Sequence, residues 1–149
     1  MFLKKGNFKA FMVFNITYPD NRTQYEMEKI VGPSFSFLER LKRRGVGSSK
    51  MQIVEASPSI VKFISRTNDT NYCNLEIREK GLVIGFRDVM KIYAWCIPYY
   101  QLNIYKTSGK ISIYGPNGHI KAVPAFNGKM DLKFLKKVME MKNQFDHLY

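Results

Sequence analysis

Cysteine is scarce in this chain: two in 149 residues, Cys73 and Cys96. Two thiols build neither a disulfide framework nor a four-ligand metal site. Both lie in apolar, strand-like runs, where a free thiol behaves as a small hydrophobe. A reducing compartment, the cytoplasm, is therefore expected, with a single bridge left open. Histidine is equally scarce, and His119 and His147 stand in no metal-ligand spacing. No metal is expected. The nucleophile-elbow, phosphate-loop and dinucleotide-binding glycine motifs are missing, and no cofactor is expected. Acidic residues number 12 against 24 Lys and Arg, so a facing carboxylate pair has few candidates. Cys96 and His119 make a conceivable nucleophile pair, but Cys96 sits between Trp95 and Ile97 and reads as core. No apolar run reaches the roughly 18 residues of a bilayer span. The start, MFLKKGNFKAFMVFNI, has the charged front of a signal peptide without its small-residue cleavage site.

What the chain does have is apolar mass and positive charge. Apolar residues make up 45% of it and aromatics 14%, enough to bury a core and to exclude wholesale disorder. The net charge is +12, densest at the front, where residues 1–50 hold ten Lys and Arg against four Asp and Glu. Such a balance points to nucleic acid, an anionic membrane or an acidic protein, or simply to solubility.

The length suggests one domain with an appendage. Residues 1–50 read as an N-terminal extension, loosely attached over its first 30 residues, with Met27 and Met51 as alternative starts. FKAFMVFNITY reads as a possible strand and PDNRTQ as a turn. A short basic helix is expected over 35–44: Ser36 and Glu39 form a capping box, and Lys42, Arg43 and Arg44 fill its last turn. Its stripe of Phe35, Leu38 and Leu41 is expected to pack on the sheet or a partner, since three turns alone hold a membrane weakly. The Gly/Ser run 45–50 then reads as a linker.

From Met51 to Tyr149 strands dominate. MQIVEA is one, and the β-branched residues of SPSIVKFISR favour another, although Ser57-Pro58 also suits a helix start. YCNLEIR and LVIGFR alternate cleanly around Gly81. KIYAWCI ends at Pro98, which removes a ladder donor. YYQLNIY alternates again. KISIY and HIKAV flank a Gly-Pro-Asn-Gly turn. A helix over 131–145 closes the chain, with Leu135, Val138, Met139 and Phe145 on its apolar face.

Two surfaces draw attention. Arg66, Arg87, Lys91, Lys106 and Lys110 punctuate strand ends, where cations either converge on an anion or guard sheet edges. They are the candidate ligand-binding residues; no catalytic residue is proposed. Tyr93, Trp95, Tyr99, Tyr100, Tyr105 and Tyr114 are read mainly as barrel wall and core, with a base-stacking platform as the alternative.

The run YCNLEIREKGLVI resembles the opening hairpin of bacterial pleckstrin-homology-like (PH-like) domains. CIPYYQLNIYK resembles their proline-then-strand segment, and ISIYGPNGHIKAV with DLKFLKKVMEM is similar to their last hairpin and closing helix. The likeness covers about residues 59–145. It implies an α+β, mainly antiparallel fold: a bent barrel of six or seven strands, closed by the C-terminal helix. It also implies a non-catalytic binding module contacting a protein partner or an anionic membrane surface, with homo-oligomers possible. The headgroup pattern of eukaryotic members is not matched. Lys62 and Arg66 precede an uncharged or acidic loop, and Arg78-x-Lys80 lies one hairpin late. A nucleic-acid-binding module is the alternative reading, and an enzyme without recognisable motifs the remote one.

Overall fold

The computed structural model describes residues 12–64, 71–88 and 90–148, with backbone alone at Asp88, His147 and Leu148. Eight strands form one antiparallel sheet: β1 (Val13–Asn15), β2 (Met51–Ala56), β3 (Tyr72–Ile77), β4 (Gly81–Asp88), β5 (Lys91–Pro98), β6 (Asn103–Thr107), β7 (Lys110–Gly115) and β8 (Gly118–Pro124). Their order is β1-β5-β4-β3-β2-β8-β7-β6, with β1 and β6 as the edges among the described residues. The α+β, mainly antiparallel expectation holds. The sheet has eight strands rather than six or seven, and it is open rather than closed.

Alternation explains the inner face. Cys73, Leu75 and Ile77 of β3 meet Phe86, Ile84 and Leu82 of β4 in direct register. Trp95 and Ile97 of β5 and Ile111 and Ile113 of β7 join the same buried core. The sheet bends enough that a β-carbon added at Gly115 would sit 2.8 Å from the Trp95 ring. Helix α4 (Leu132–Leu148) packs onto this core. Its buried residues are Phe134, Val138 and Met141, with Leu135 and Phe145 beside them. Met139, placed on the apolar face from sequence, is exposed; the face is rotated towards Phe134, which follows the 134-138-141-145 spacing.

Three segments differ from their sequence reading. PDNRTQ is not merely a turn: Asp20 caps helix α1 (Asn21–Val31), its carboxylate accepting from the Thr23 N–H at 2.7 Å. Gly32 ends α1 in the left-handed region at φ 84°. The segment after Ser57 is helical, not extended: Pro58 opens the single turn α3 (Pro58–Val61), where a proline lacking its N–H costs nothing. Tyr99–Gln101 is a 3-10 turn, so the strand begins only at Asn103.

From Val13 onward the front of the chain is built into the sheet, while residues 1–11 of the expected loose extension lie outside the described residues. β1 pairs with β5 through Val13↔Trp95 and Phe14↔Ala94. Met27 and Val31, one turn apart on α1, bury against Val83, Ala94 and Cys96 on the outer face of β4 and β5. The basic helix is α2 (Phe37–Lys42), shorter than the expected 35–44. The run read as a linker lies along β3: the Ile77 N–H donates to the Val46 carbonyl and the Ser48 N–H to that of Leu75, both at 2.8 Å.

Candidate functional site

Helix α1 covers the outer face of one half of the sheet and leaves the other half bare. The bare half, β6-β7-β8-β2, shows its side chains in rows across the strands. Asn103, Tyr114 and His119 stand opposite one another in one row. Tyr105, Ser112, Lys121 and Glu55 form the next. Ile104, Ile113 and Ile120 alternate with them and point inward to the core. The result is an open trough of about 490 Å³ lined by Asn103, Tyr105, Thr107, Ser112, Tyr114 and Lys121.

Contacts within the trough are specific. Glu55 Oε2 lies 3.0 Å from His119 Nε2 and 3.6 Å from Lys121 Nζ. The hydrogen bond from His119, then the Lys121 charge, holds the Glu55 carboxyl below its ordinary value. Tyr114 stacks on the His119 ring at 5.3 Å, while Tyr105 meets Tyr114 edge-on at 6.0 Å. One face of Tyr114 is therefore occupied, whereas Tyr105 is 55% exposed. Beside it, β6 is hydrogen-bonded to β7 and to no other strand of the described residues.

Sequence reads Tyr105 and Tyr114 as wall and core; both are exposed, on the outer side of the sheet wall, where no element of the described residues covers them, while Tyr100 is exposed in the 3-10 turn with its ring stacked on Phe145. Trp95 and Tyr99 are core, as expected. The clue lay in alternation: Ile104 and Ile113 inward force Tyr105 and Tyr114 outward.

The predicted basic residues divide. Lys106 and Lys110 are exposed on the β6–β7 hairpin, Lys110 directly opposite the trough-lining Thr107. Arg87 and Lys91 are exposed on the β4–β5 hairpin, separated from β7 in sheet order by the three strands β3, β2 and β8. Hydrogen bonding does not bring the two pairs together. Arg66 lies outside the described residues. Arg78, whose spacing to Lys80 lies one hairpin late for the headgroup pattern, is buried and committed to the fold. Its Nη1 donates to the Gly32 carbonyl at 3.0 Å, and its own carbonyl accepts from the Tyr99 hydroxyl at 2.6 Å.

The chemistry of the thiols follows their burial. Loss of water pushes both Cys73 and Cys96 up to about 12, far from a reactive thiolate at neutral pH. Cys96 faces α1 while His119 pairs with Glu55, so the conceivable nucleophile pair is not assembled. Among the described residues, no three His, Cys, Asp or Glu side chains cluster to hold a metal ion. Nor is any helix long and apolar enough to cross a membrane. The sequence matches no family model, no curated protein and no solved structure.

Proposed function

We propose that this chain is a non-catalytic binding module of PH-like type that recognises a protein partner through the bare outer face of β6-β7-β8. The observation that carries this reading is the trough beside an unpaired edge strand. An extended segment laid along β6 hydrogen-bonds to its free backbone and places alternate side chains towards Tyr105, Tyr114 and Lys121. Lys110 and Lys121, on the trough side of their strands, favour acidic side chains in that segment. The PH-like reading is supported by the run of seven strands β2–β8 followed by a helix packed on the core. The open sheet and the eighth strand, β1, are departures from it.

Nucleic acid is the weaker reading of the same face. Stacking needs free ring faces, and Tyr114 already has one covered by His119. Glu55 also places a negative charge there.

Display of a random peptide library against the protein tests the proposal. Extended, acidic sequences are expected to be enriched, and Tyr105→Ala or Lys121→Glu is expected to weaken them about tenfold or more. Failure of any peptide to enrich, or binding untouched by both variants, overturns it. Steeply salt-dependent binding of single-stranded DNA, lost in Tyr105→Ala, transfers the face to the nucleic-acid reading.

A further inference from the structure

We propose that α2 is a membrane wedge: Phe37, Leu38 and Leu41 insert into an anionic lipid surface while the cations around them contact its headgroups. The surface is separate from the β6-β7-β8 face. Sequence alone suggests that a helix with an apolar stripe packs that stripe away. Here Phe35, just before the helix, does pack against the core, with the Arg43 guanidinium 4.3 Å over its ring. The helix itself turns outward. Phe37 and Leu38 are each 68% exposed and Leu41 is 60% exposed, and no residue of α2 is buried.

The arrangement around the helix is ordered by charge. At about 100° per residue, Phe37, Leu41 and Leu38 occupy an arc of roughly 100°. Arg40 lies about 60° before that arc and Lys42 about 40° beyond it. Glu39 falls on the opposite side and is paired with Arg43 at 3.4 Å. Arg40 and Lys42 are exposed and form no ion pair among the described residues. Large apolar side chains flanked on both sides by unpaired cations fit an interfacial helix on acidic lipid. A protein groove matches the apolar arc but gives no reason for cations on both borders.

A helix of this length binds a membrane weakly when it must first order itself. This one is already held in place. Ser36 Oγ accepts from the Glu39 N–H at 3.2 Å at its start. At its end Lys137 of α4 donates to the Arg44 and Gly45 carbonyls at 2.9 and 3.1 Å. Val46, just beyond, is buried and accepts from Ile77 of β3. The folded domain thus presents three apolar side chains with little further loss of conformational freedom on binding. The remaining excess of cations, in a chain of net charge +12, draws it to a negative surface.

Sedimentation of the full chain with vesicles tests this, using phosphatidylcholine alone and phosphatidylcholine mixed with phosphatidylserine. Wild type is expected to sediment with the mixed vesicles and much less with the neutral ones. Replacing Phe37, Leu38 and Leu41 together by Ser, all on the surface, is expected to leave folding intact by circular dichroism and to reduce binding at least tenfold. Arg40→Glu with Lys42→Glu is expected to remove most of the preference for acidic lipid, each lost cation accounting for about fivefold. Tyr105→Ala is expected to leave vesicle binding unchanged, so the wedge and the peptide face succeed or fail separately. Equal sedimentation of wild type and the triple-Ser variant overturns the proposal, because attraction by net charge alone then explains the binding. So does failure of wild type to bind mixed vesicles. Sedimentation equilibrium identifies one cause of that failure, a wild-type dimer that becomes a monomer in the triple-Ser variant, with the wedge buried between two copies.

Discussion

The outer face of this sheet has two halves, and they differ in what the chain has done with them. Over β4 and β5 the outward side chains are Val83, Ala94 and Cys96, and α1 lays Met27 and Val31 across them. Over β7 and β8 the outward side chains are Ser112, Tyr114, His119 and Lys121; Ser112 is buried among its neighbours, and no helix of the described residues lies across the row. Both halves use the same two-residue alternation. Where the outward positions are apolar, the fold supplies a helix. Where they are polar and aromatic, it leaves an open trough beside an edge strand. Function is therefore sought on the bare half, and stability effects on the covered one.

The largest effect expected from breaking that contrast is at the seam of the covered half. Gly81 opens β4 beneath α1, and a β-carbon there would press on the Ile97 carbonyl oxygen and the Val31 side chain. Neither gives easily, one being backbone and the other fully buried. Gly81→Ala is expected to lower unfolding stability by about 3 kcal/mol, the upper end for overpacking, read by urea denaturation. Next is Met27→Ala, which leaves a hole between α1 and the sheet and is expected to lower stability by about 2 kcal/mol or more. Because α1 carries only two buried residues, hydrogen exchange in this variant is expected to quicken first over Asn21–Val31 and β1, before the core strands. Uniform quickening across all eight strands would show instead that the two outer halves unfold as one unit.

How far this contrast was legible beforehand depended on local pattern. The β3–β4 and β7–β8 hairpins were readable because their inward residues alternate strictly and because Gly115-Pro116-Asn117-Gly118 marks the second turn; Gly81 is the first residue of β4 rather than a positive-φ turn residue. The start of α1 was hidden because Pro19-Asp20 is equally good turn chemistry, and only the Met27–Val31 spacing and the Gly32 stop distinguish a helix. At α3 the β-branched Ile60 and Val61 argued for a strand, but a buried helical turn suits them when tertiary packing decides, and Ile60 is fully buried. The trough was half-readable. Alternation assigned Tyr105 and Tyr114 to one face of their strands, but whether that face is covered depends on contacts far apart in sequence. The exposure of Phe37, Leu38 and Leu41 ran against the ordinary expectation for a helical stripe. Such a conflict between local pattern and burial is where a functional surface is expected.

On the bare half, truncation should separate stability from binding. Tyr105→Ala removes a half-exposed ring that meets Tyr114 edge-on. It is expected to change stability by no more than about 0.5 kcal/mol while weakening the peptide contact about tenfold. A stability loss as large as that of Met27→Ala would make the trough a structural part of the core and end the distinction between the halves.

The smallest effect, and the finest test of the comparison, is the pH dependence carried by the exposed carboxylates of the two halves. Asp20, which caps α1, is held below its ordinary value chiefly by the Thr23 backbone hydrogen bond. Glu55, on the bare half, is held below its ordinary value of 4.5 chiefly by His119, then by Lys121. For a carboxyl lowered in the folded state, the unfolded chain takes up the proton first as pH falls, so folding is favoured by the ionised form. The contribution is complete above the ordinary value, declines as pH falls, and is gone once pH drops below the lowered folded value. Glu55→Gln is therefore expected to lower the thermal midpoint slightly at about pH 6 and to converge with wild type as pH falls below the lowered folded value. Asp20→Asn, which retains a capping oxygen but not the charge, is expected to converge in the same direction. The difference lies in location. Hydrogen exchange at low pH is expected to quicken over α1 when Asp20 titrates and over β2 and β8 when Glu55 does. If the two carboxylates loosen the same strands, the covered and bare halves are a single cooperative surface. If they loosen different ones, the bare half can change its ligand contacts without disturbing the helix that holds the other half in place.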